Sequence, residues 1–189
     1  MSEPRPPIRR LRERLEYRNP WVRVFFDDVD RAGKPGQYTR IEDGPGGARS
    51  GVVIIPRDAR RRLLFVHIYR YPVAAWLWEL PRGYGEPAET GTQSAARELA
   101  EEVGLHAETY KELGEIYPNS GLLASGVAVV LADRVRGRIA LERTEAIDAS
   151  RWFTLPEALA EAETSLRCDG ISLAALALLV SHEGLLADS

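Results

Sequence analysis

The stretch Gly83–Leu105 constrains this chain most. It reads GYGEPAETGTQSAARELAEEVGL and gathers five glutamates, one arginine and four glycines in 23 residues. Its second half predicts a helix from Gly91 to Val103. Thr90 can cap the first turn, Gln93 three residues later can return the bond, and Gly104 stands where a left-handed stop belongs. At 100° per residue, Ala95, Ala96, Leu99 and Val103 share one side, and Glu98, Glu101 and Glu102 share the other. One face packs and the other is acidic.

Like charges at i, i+4 weaken an isolated helix by about 0.2–0.5 kcal/mol per pair, so the acidic face needs a compensating charge. A hard divalent cation supplies one: Mg²⁺ takes oxygen ligands, uses one or two carboxylates plus water, and completes its shell with substrate phosphates. Arg97 adjoins the cluster and can fix a carboxylate rotamer. Upstream, Pro81-Arg82-Gly83-Tyr84-Gly85 is a glycine-punctuated loop whose backbone can approach a metal or phosphate closely. Loop and helix together suit pyrophosphate chemistry.

Gly83, five residues, Glu89, seven residues, then Arg97-Glu98-Leu99-x-Glu101-Glu102-x-Gly104-Leu105 resembles the Nudix box at every position. The resemblance implies that Glu98, Glu101 and Glu102 are metal ligands, that the Arg82 carbonyl is a further ligand, that Arg97 orients the glutamates, and that Glu89 supports the loop and the outer metal shell. It implies Mg²⁺ as cofactor, with Mn²⁺ able to replace it. The preceding segment, Tyr69-Arg70-Tyr71-Pro72 followed by Trp78-Glu79-Leu80-Pro81, is similar to the ADP-ribose pyrophosphatase branch. That similarity implies that Arg70 contacts substrate phosphate and Glu79 reaches the nucleotide end. Where that branch often has Arg-Gln-Tyr-Arg this chain has His67-Ile68-Tyr69-Arg70, which leaves His67 as a replacement contact or a packed spectator. Pro118-Asn119-Ser120-Gly121 resembles a substrate loop of the branch and puts Gly121 on the substrate side, while the glutamate that commonly follows falls on Ser125. The general base of the branch lies on an acidic loop, here Leu141–Asp148. This implies Glu145 as base, with Glu142 or the metals alone as alternatives. Trp21 is either an adenine-stacking aromatic or plain core.

A length of 189 residues with 44% hydrophobic content suits one globular domain with a short arm. A net charge of -3 gives no drive toward nucleic acid, and with only Lys34 and Lys111 among 25 basic residues, phosphate contacts fall to arginine. The single Cys168 rules out an internal disulfide, suits a reducing compartment, and is expected as a buried small residue. Residues 1–20 lack the apolar core of a secretory signal and no run reaches membrane-span length, so a cytoplasmic protein without a membrane partner is expected.

Residues 1–18 are expected as a basic flexible arm or short helix. Residues 19–48 are expected as a β-hairpin region, with strands Trp21–Phe26 and Gln37–Ile41 and a turn at Gly33–Gly36. Residues 49–189 form the expected catalytic domain, with strands at Ser50–Pro56, Arg62–Tyr69, Thr109–Tyr117, Val127–Leu131 and Ile147–Phe153, and helices opening at Leu155 and spanning Ser172–Ser181. The Nudix resemblance implies an α/β fold: an α/β/α sandwich with a mixed curved sheet and the N-terminal hairpin beside it, in a homodimer that exchanges the hairpin. The implied reaction is hydrolysis of a nucleoside diphosphate linked to another moiety, X, with ADP-ribose giving AMP and ribose 5-phosphate as the leading case. Another nucleotide sugar or a dinucleotide stands next. A non-catalytic ADP-ribose-sensing module is the alternative from a different class, and RNA decapping is disfavoured by composition.

Overall fold

A computed structural model describes residues 6–44, 49–142, 146–165 and 167–185. The chain begins with β1 (Ile8–Arg12), β2 (Leu15–Arg18), β3 (Val22–Arg31) and β4 (Lys34–Asp43). β3 and β4 pair without a break from Val22↔Asp43 to Arg31↔Lys34. Their turn is Ala32-Gly33, at φ 52 and 85, the doubly left-handed geometry that matches strand twist. The hairpin is therefore present but longer than expected, with its turn at Ala32-Gly33 rather than Gly33–Gly36. β1 and β2 run antiparallel along the other edge of β3, so the expected short helix in residues 1–18 is corrected to extended chain from Ile8 onward.

The segment pairs through its backbone with a partner further along the sequence whose charge complements it. β3 carries Asp27, Asp28 and Asp30, and the basic segment lies against them, with Arg9 at 3.7 Å from Asp30 and Arg14 at 3.6 Å from Asp28. Asp27 is buried and accepts from the Arg14 amide at 3.3 Å and from Arg40 Nε at 2.9 Å.

The chain continues with β5 (Arg49–Arg57), β6 (Leu63–Arg70), β7 (Ala75–Glu79), β8 (Arg82–Gly83), α1 (Gly91–Val103), β9 (Leu105–His106), β10 (Thr109–Ile116), β11 (Gly126–Asp133), β12 (Arg136–Gly137), β13 (Ile147–Phe153), α2 (Leu155–Thr164) and α3 (Gly170–His182). Of these strands β9 and β12 pair on their own, and the others build a second sheet flanked by helices. Its order is β10-β11-β5-β6-β13, with β11 parallel to β5 and the remaining pairs antiparallel. β5, β6 and β11 are apolar runs because both of their faces are covered, and successive side chains go to opposite sides. Val52, Ile54, Leu64, Val66 and Val130 pack with Ala95, Leu99 and Val103 of α1. Val53, Ile55, Leu63, Phe65 and Val129 pack with Ala158 of α2 and Ala175, Leu176 and Leu179 of α3. This is the expected α/β/α sandwich. Full burial of Leu99 and Val103 is worth about 1.5–3 kcal/mol each, well above the few tenths that like-charge pairs on α1 cost.

One irregularity positions the site. β5 and β6 share only the rung Arg57↔Leu63, and beyond it the returning chain occupies the space between them. β7 pairs with β6 from Val66↔Glu79 to Arg70↔Ala75, while β8 pairs with β5 through Val52↔Gly83 and Val53↔Arg82. The loop that enters α1 is thus held inside the sheet. Cys168, expected as a buried residue, is exposed just before α3: its neighbour Asp169, not the cysteine, makes the inward contacts. Among the described residues no helix is long and apolar enough to cross a membrane.

Candidate active site

α1 is set by its own ends. Thr90 Oγ1 accepts from the Gln93 amide, the Gln93 side chain accepts from the Thr90 amide at 2.8 Å, and Gly104 closes the helix at φ 72. The three box glutamates are not equally exposed. Glu102 is buried, Glu98 is largely covered, and Glu101 keeps 60% of its side-chain surface. The loop Pro81–Gly85 covers what the helix alone would present to solvent.

Arg97 is the hub. Its Nη1 donates to Glu98 Oε1 at 2.8 Å and Glu101 Oε2 at 3.0 Å, its Nε donates to Glu89 Oε1 at 3.1 Å, and its Nη2 donates to Glu89 Oε2 at 3.1 Å and the Tyr84 carbonyl at 2.7 Å. Glu89 also accepts from the Glu86 amide at 2.9 Å and Ser94 Oγ at 2.8 Å. The Arg97 bond first, then the Glu86 amide, lower the Glu89 pKa from 4.5 to about 2, and Glu89 in turn raises that of Arg97. Loop and helix are thereby held together by an ion pair.

At Gly83 a Cβ would fall inside the Glu98 carboxylate, so only glycine lets that carboxylate lie against the loop. An oxygen-only donor set of three carboxylates beside such a loop fits a hard divalent cation. Among the described residues, no three His, Cys, Asp or Glu side chains converge on one point; Glu98 and Glu101 both accept from Arg97.

Beside the helix lies a cleft of about 710 Å³ that brings Glu98, Glu101 and Glu102 together with Arg70, Arg82 and Trp21. Glu79, expected to reach the nucleotide, is instead fully buried and lies beneath the two arginines. It accepts from Arg70 Nε at 3.0 Å and Nη2 at 2.7 Å, and pairs with Arg82 Nη2 at 2.9 Å. Burial opposes the charge of Arg70, but the bonds and charge of Glu79 together with the charges of Asp169 and Glu102 outweigh it, and its pKa is raised. The network continues to α3. Arg82 Nη1 donates to Asp169 Oδ1 at 3.2 Å, and Asp169 Oδ2 accepts from the Ser172 amide and hydroxyl at 2.8 and 2.7 Å. Ser172 Oγ accepts from the Leu80 amide at 2.9 Å.

The other expected site residues are more scattered. Gly121 does not line the cleft, and its carbonyl accepts from Tyr38. The Glu142 amide donates to the Glu102 carbonyl at 2.9 Å, placing that residue beside the box, whereas Glu145 lies outside the described residues. His67 stacks on Trp76 and packs against Trp78, and its Nδ1 lies 2.7 Å from Asp148. It lines no part of the cleft. Sequence reasoning missed Asp43 and Tyr84, which do line it, and Asp169, whose helix-capping position before Gly170-Ile171-Ser172 was the available signal.

A mixed sheet between helices, with an acidic helix and a glycine loop facing an arginine-lined cleft, defines a Nudix-type hydrolase. The chain belongs to the NUDIX domain family, whose pattern matches residues 47–168; Nudix hydrolases generally use divalent metal ions. It is similar to the CMP-5'-(N-acetyl-N-hydroxy-3-aminopropyl)phosphonate hydrolase of Streptomyces rubellomurinus, with 32% identity over 77% of this chain and 69% of that protein. It is also similar to the ADP-ribose pyrophosphatase of Mycobacterium tuberculosis, with 36% identity over 57% of this chain, and spans about half of that relative's length, 53%. A crystal structure of an ADP compounds hydrolase shares the fold at a TM-score of 0.80 and 20% identity, covering 97% of this chain and 99% of the other.

Proposed function

We propose that this protein hydrolyses the pyrophosphate bond of a nucleoside diphosphate linked to another moiety, with ADP-ribose giving AMP and ribose 5-phosphate as the leading substrate and Mg²⁺ as the cofactor. The observation that carries the reading is the meeting of Glu98, Glu101 and Glu102 with Arg70 and Arg82 in one cleft, which Glu86 and Arg97 also line. The glutamates suit the cation, the arginines suit phosphate, and neither set alone would distinguish a pyrophosphatase from a simple acidic or basic surface. Glu98, Glu102 and the Arg82 carbonyl would hold the ion, with Glu101 beside them. When bound, it supplies a positive charge that stabilises negative charge on the phosphate oxygens. Arg97 and Glu89 hold the loop and the glutamates in register, while Arg70 and Arg82 bind and orient the diphosphate.

The similarity to a CMP-linked phosphonate hydrolase favours a second reading within the same chemistry, in which the base is cytosine and X is not ribose phosphate. Incubating the protein and Mg²⁺ with ADP-ribose, CDP- and UDP-linked sugars and dinucleotides, and measuring released nucleoside monophosphate, decides between the readings. No release from any of them would leave a non-catalytic sensing module.

Arg70→Ala is expected to raise KM tenfold or more with a smaller change in kcat. Loss of one charged contact costs about 1.5–3 kcal/mol. Lysine should restore only part of the binding, because it cannot keep the forked contact with Glu79. A KM equal to that of the parent would assign Arg70 to scaffolding.

The N-terminal sheet leaves Ile8, Leu11, Leu15, Tyr17 and Phe26 exposed, which supports a homodimer formed through this sheet. Light scattering at micromolar concentration should then report twice the chain mass of 21.0 kDa. A monomer mass would remove the proposal.

A further inference from the structure

Two aromatic rings and a carboxylate meet in the cleft, and the carboxylate has no part in the chemistry above. Trp21, just before β3, and Tyr84, in the glycine loop, stack with ring centroids 6.0 Å apart and planes inclined by 26°. Both remain substantially exposed, so a planar base can add to the pair. Asp43 ends β4 opposite Val22, and the next amide, Gly44, donates to the Trp21 carbonyl at 2.7 Å. Asp43 is therefore one rung from Trp21.

Its backbone is braced from the far side. The Ile41 amide donates to the Leu122 carbonyl at 2.9 Å, the Ala124 amide donates to the Ile41 carbonyl at 2.8 Å, and the Asp43 amide donates to Ser125 Oγ at 3.4 Å. Asp43 Oδ1 is buried, and no group among the described residues donates to it. The cleft arginines are paired with other carboxylates, Arg70 with Glu79, Arg82 with Glu79 and Asp169, and Arg97 with Glu89, Glu98 and Glu101. Asp43, Trp21 and Tyr84 all line the cleft.

A buried acceptor held rigidly in a cleft without a donor calls for one from the ligand. Phosphate cannot serve, since its ionised oxygens carry no proton and repel a carboxylate. The nucleoside half does carry donors, on its ribose and on the amine of some bases. The vicinal hydroxyls of a ribose match the two oxygens of a carboxylate, as acidic side chains read ribose in dinucleotide-binding folds. We propose that Asp43 accepts hydrogen bonds from the ribose hydroxyls of a nucleoside stacked on Trp21, making the cleft selective for ribonucleotides over 2'-deoxy and 2'-phosphorylated counterparts. This rests on the substrate being a nucleoside diphosphate derivative.

Calorimetric binding of ADP, 2'-deoxy-ADP and IDP to the full chain and to Asp43→Ala and Asp43→Asn tests the assignment. The parent should bind ADP about ten- to a hundredfold more tightly than 2'-deoxy-ADP, the range for a lost charged hydrogen bond. Asp43→Ala should bring that ratio close to one, and Asp43→Asn, which keeps one acceptor oxygen, should fall between. If Asp43→Ala does not fold, a several-fold fall in the ratio for Asp43→Asn carries the result. A ratio unchanged in the folded variants, or near one in the parent, overturns the proposal. Discrimination against IDP that disappears with Asp43, without discrimination against 2'-deoxy-ADP, overturns the ribose assignment and moves the contact to the base amine. If the protein hydrolyses no nucleoside diphosphate yet loses the ADP to 2'-deoxy-ADP ratio on Asp43→Ala, the hydrolase reading falls and this one stands.

Discussion

Glu98→Gln and Glu102→Gln are each expected to cut hydrolysis about a hundredfold or more while leaving the fold intact. An amide oxygen lacks the charge that holds a hard cation, and the charge stabilisation so lost is worth several kcal/mol, at about 1.4 kcal/mol per factor of ten. Glu101→Gln should cost less, because that side chain is mostly exposed and, among the described residues, is tied to the site by its Arg97 bond. Gly83→Ala should resemble Glu98→Gln. The new methyl group displaces the Glu98 carboxylate, a flexible end that can move cheaply, so activity falls while the melting temperature stays close to that of the parent. The check is a Mg²⁺ titration of initial rate alongside thermal melting. Parent-like turnover by either glutamine variant at limiting Mg²⁺ would refute the ligand assignment.

Where the sequence was legible, local chemistry decided the structure. Thr90, Gln93 and Gly104 bound α1 at the residues read from the text, since a cap, its reciprocal partner and a left-handed stop lie within a few residues of what they fix. The runs at Val52–Ile55 and Leu63–Val66 read as central strands because only a two-sided core tolerates four apolar residues in succession.

The sequence failed where a distant partner decided. Ile8–Arg18 has the charge of a solvated arm, yet it pairs along β3, whose Asp28 and Asp30 face its arginines. Glu79 precedes the box loop as a nucleotide contact would, but Arg70 and Arg82 close over it, and its carboxylate fixes the arginines rather than the ligand. Asp43 gives no local signal at all. It enters the cleft only because the hairpin end and the glycine loop are brought together by the fold.

Removing the general base should have the other large effect. The described residues on either side of the acidic stretch after β12 are bonded to α1 and to β6. The Glu142 amide is bonded to the carbonyl of the box residue Glu102 at 2.9 Å, and the Ala146 carbonyl accepts from the amide of Tyr69, the neighbour of Arg70, at 3.1 Å. A base must come within hydrogen-bond reach of the attacking water. Glu145, one residue before Ala146, is our proposed base, and Glu142 is the alternative. Glu145→Gln is then expected to lower kcat by about 10²–10⁴ with little change in KM, since the lost proton transfer belongs to the transition state and not to binding. Its residual rate should climb with pH more steeply than that of the parent, because solvent hydroxide takes over the proton removal. A normal kcat for Glu145→Gln at pH 7 beside a crippled Glu142→Gln would transfer the role to Glu142. Normal rates in both would mean that neither loop carboxylate removes the proton.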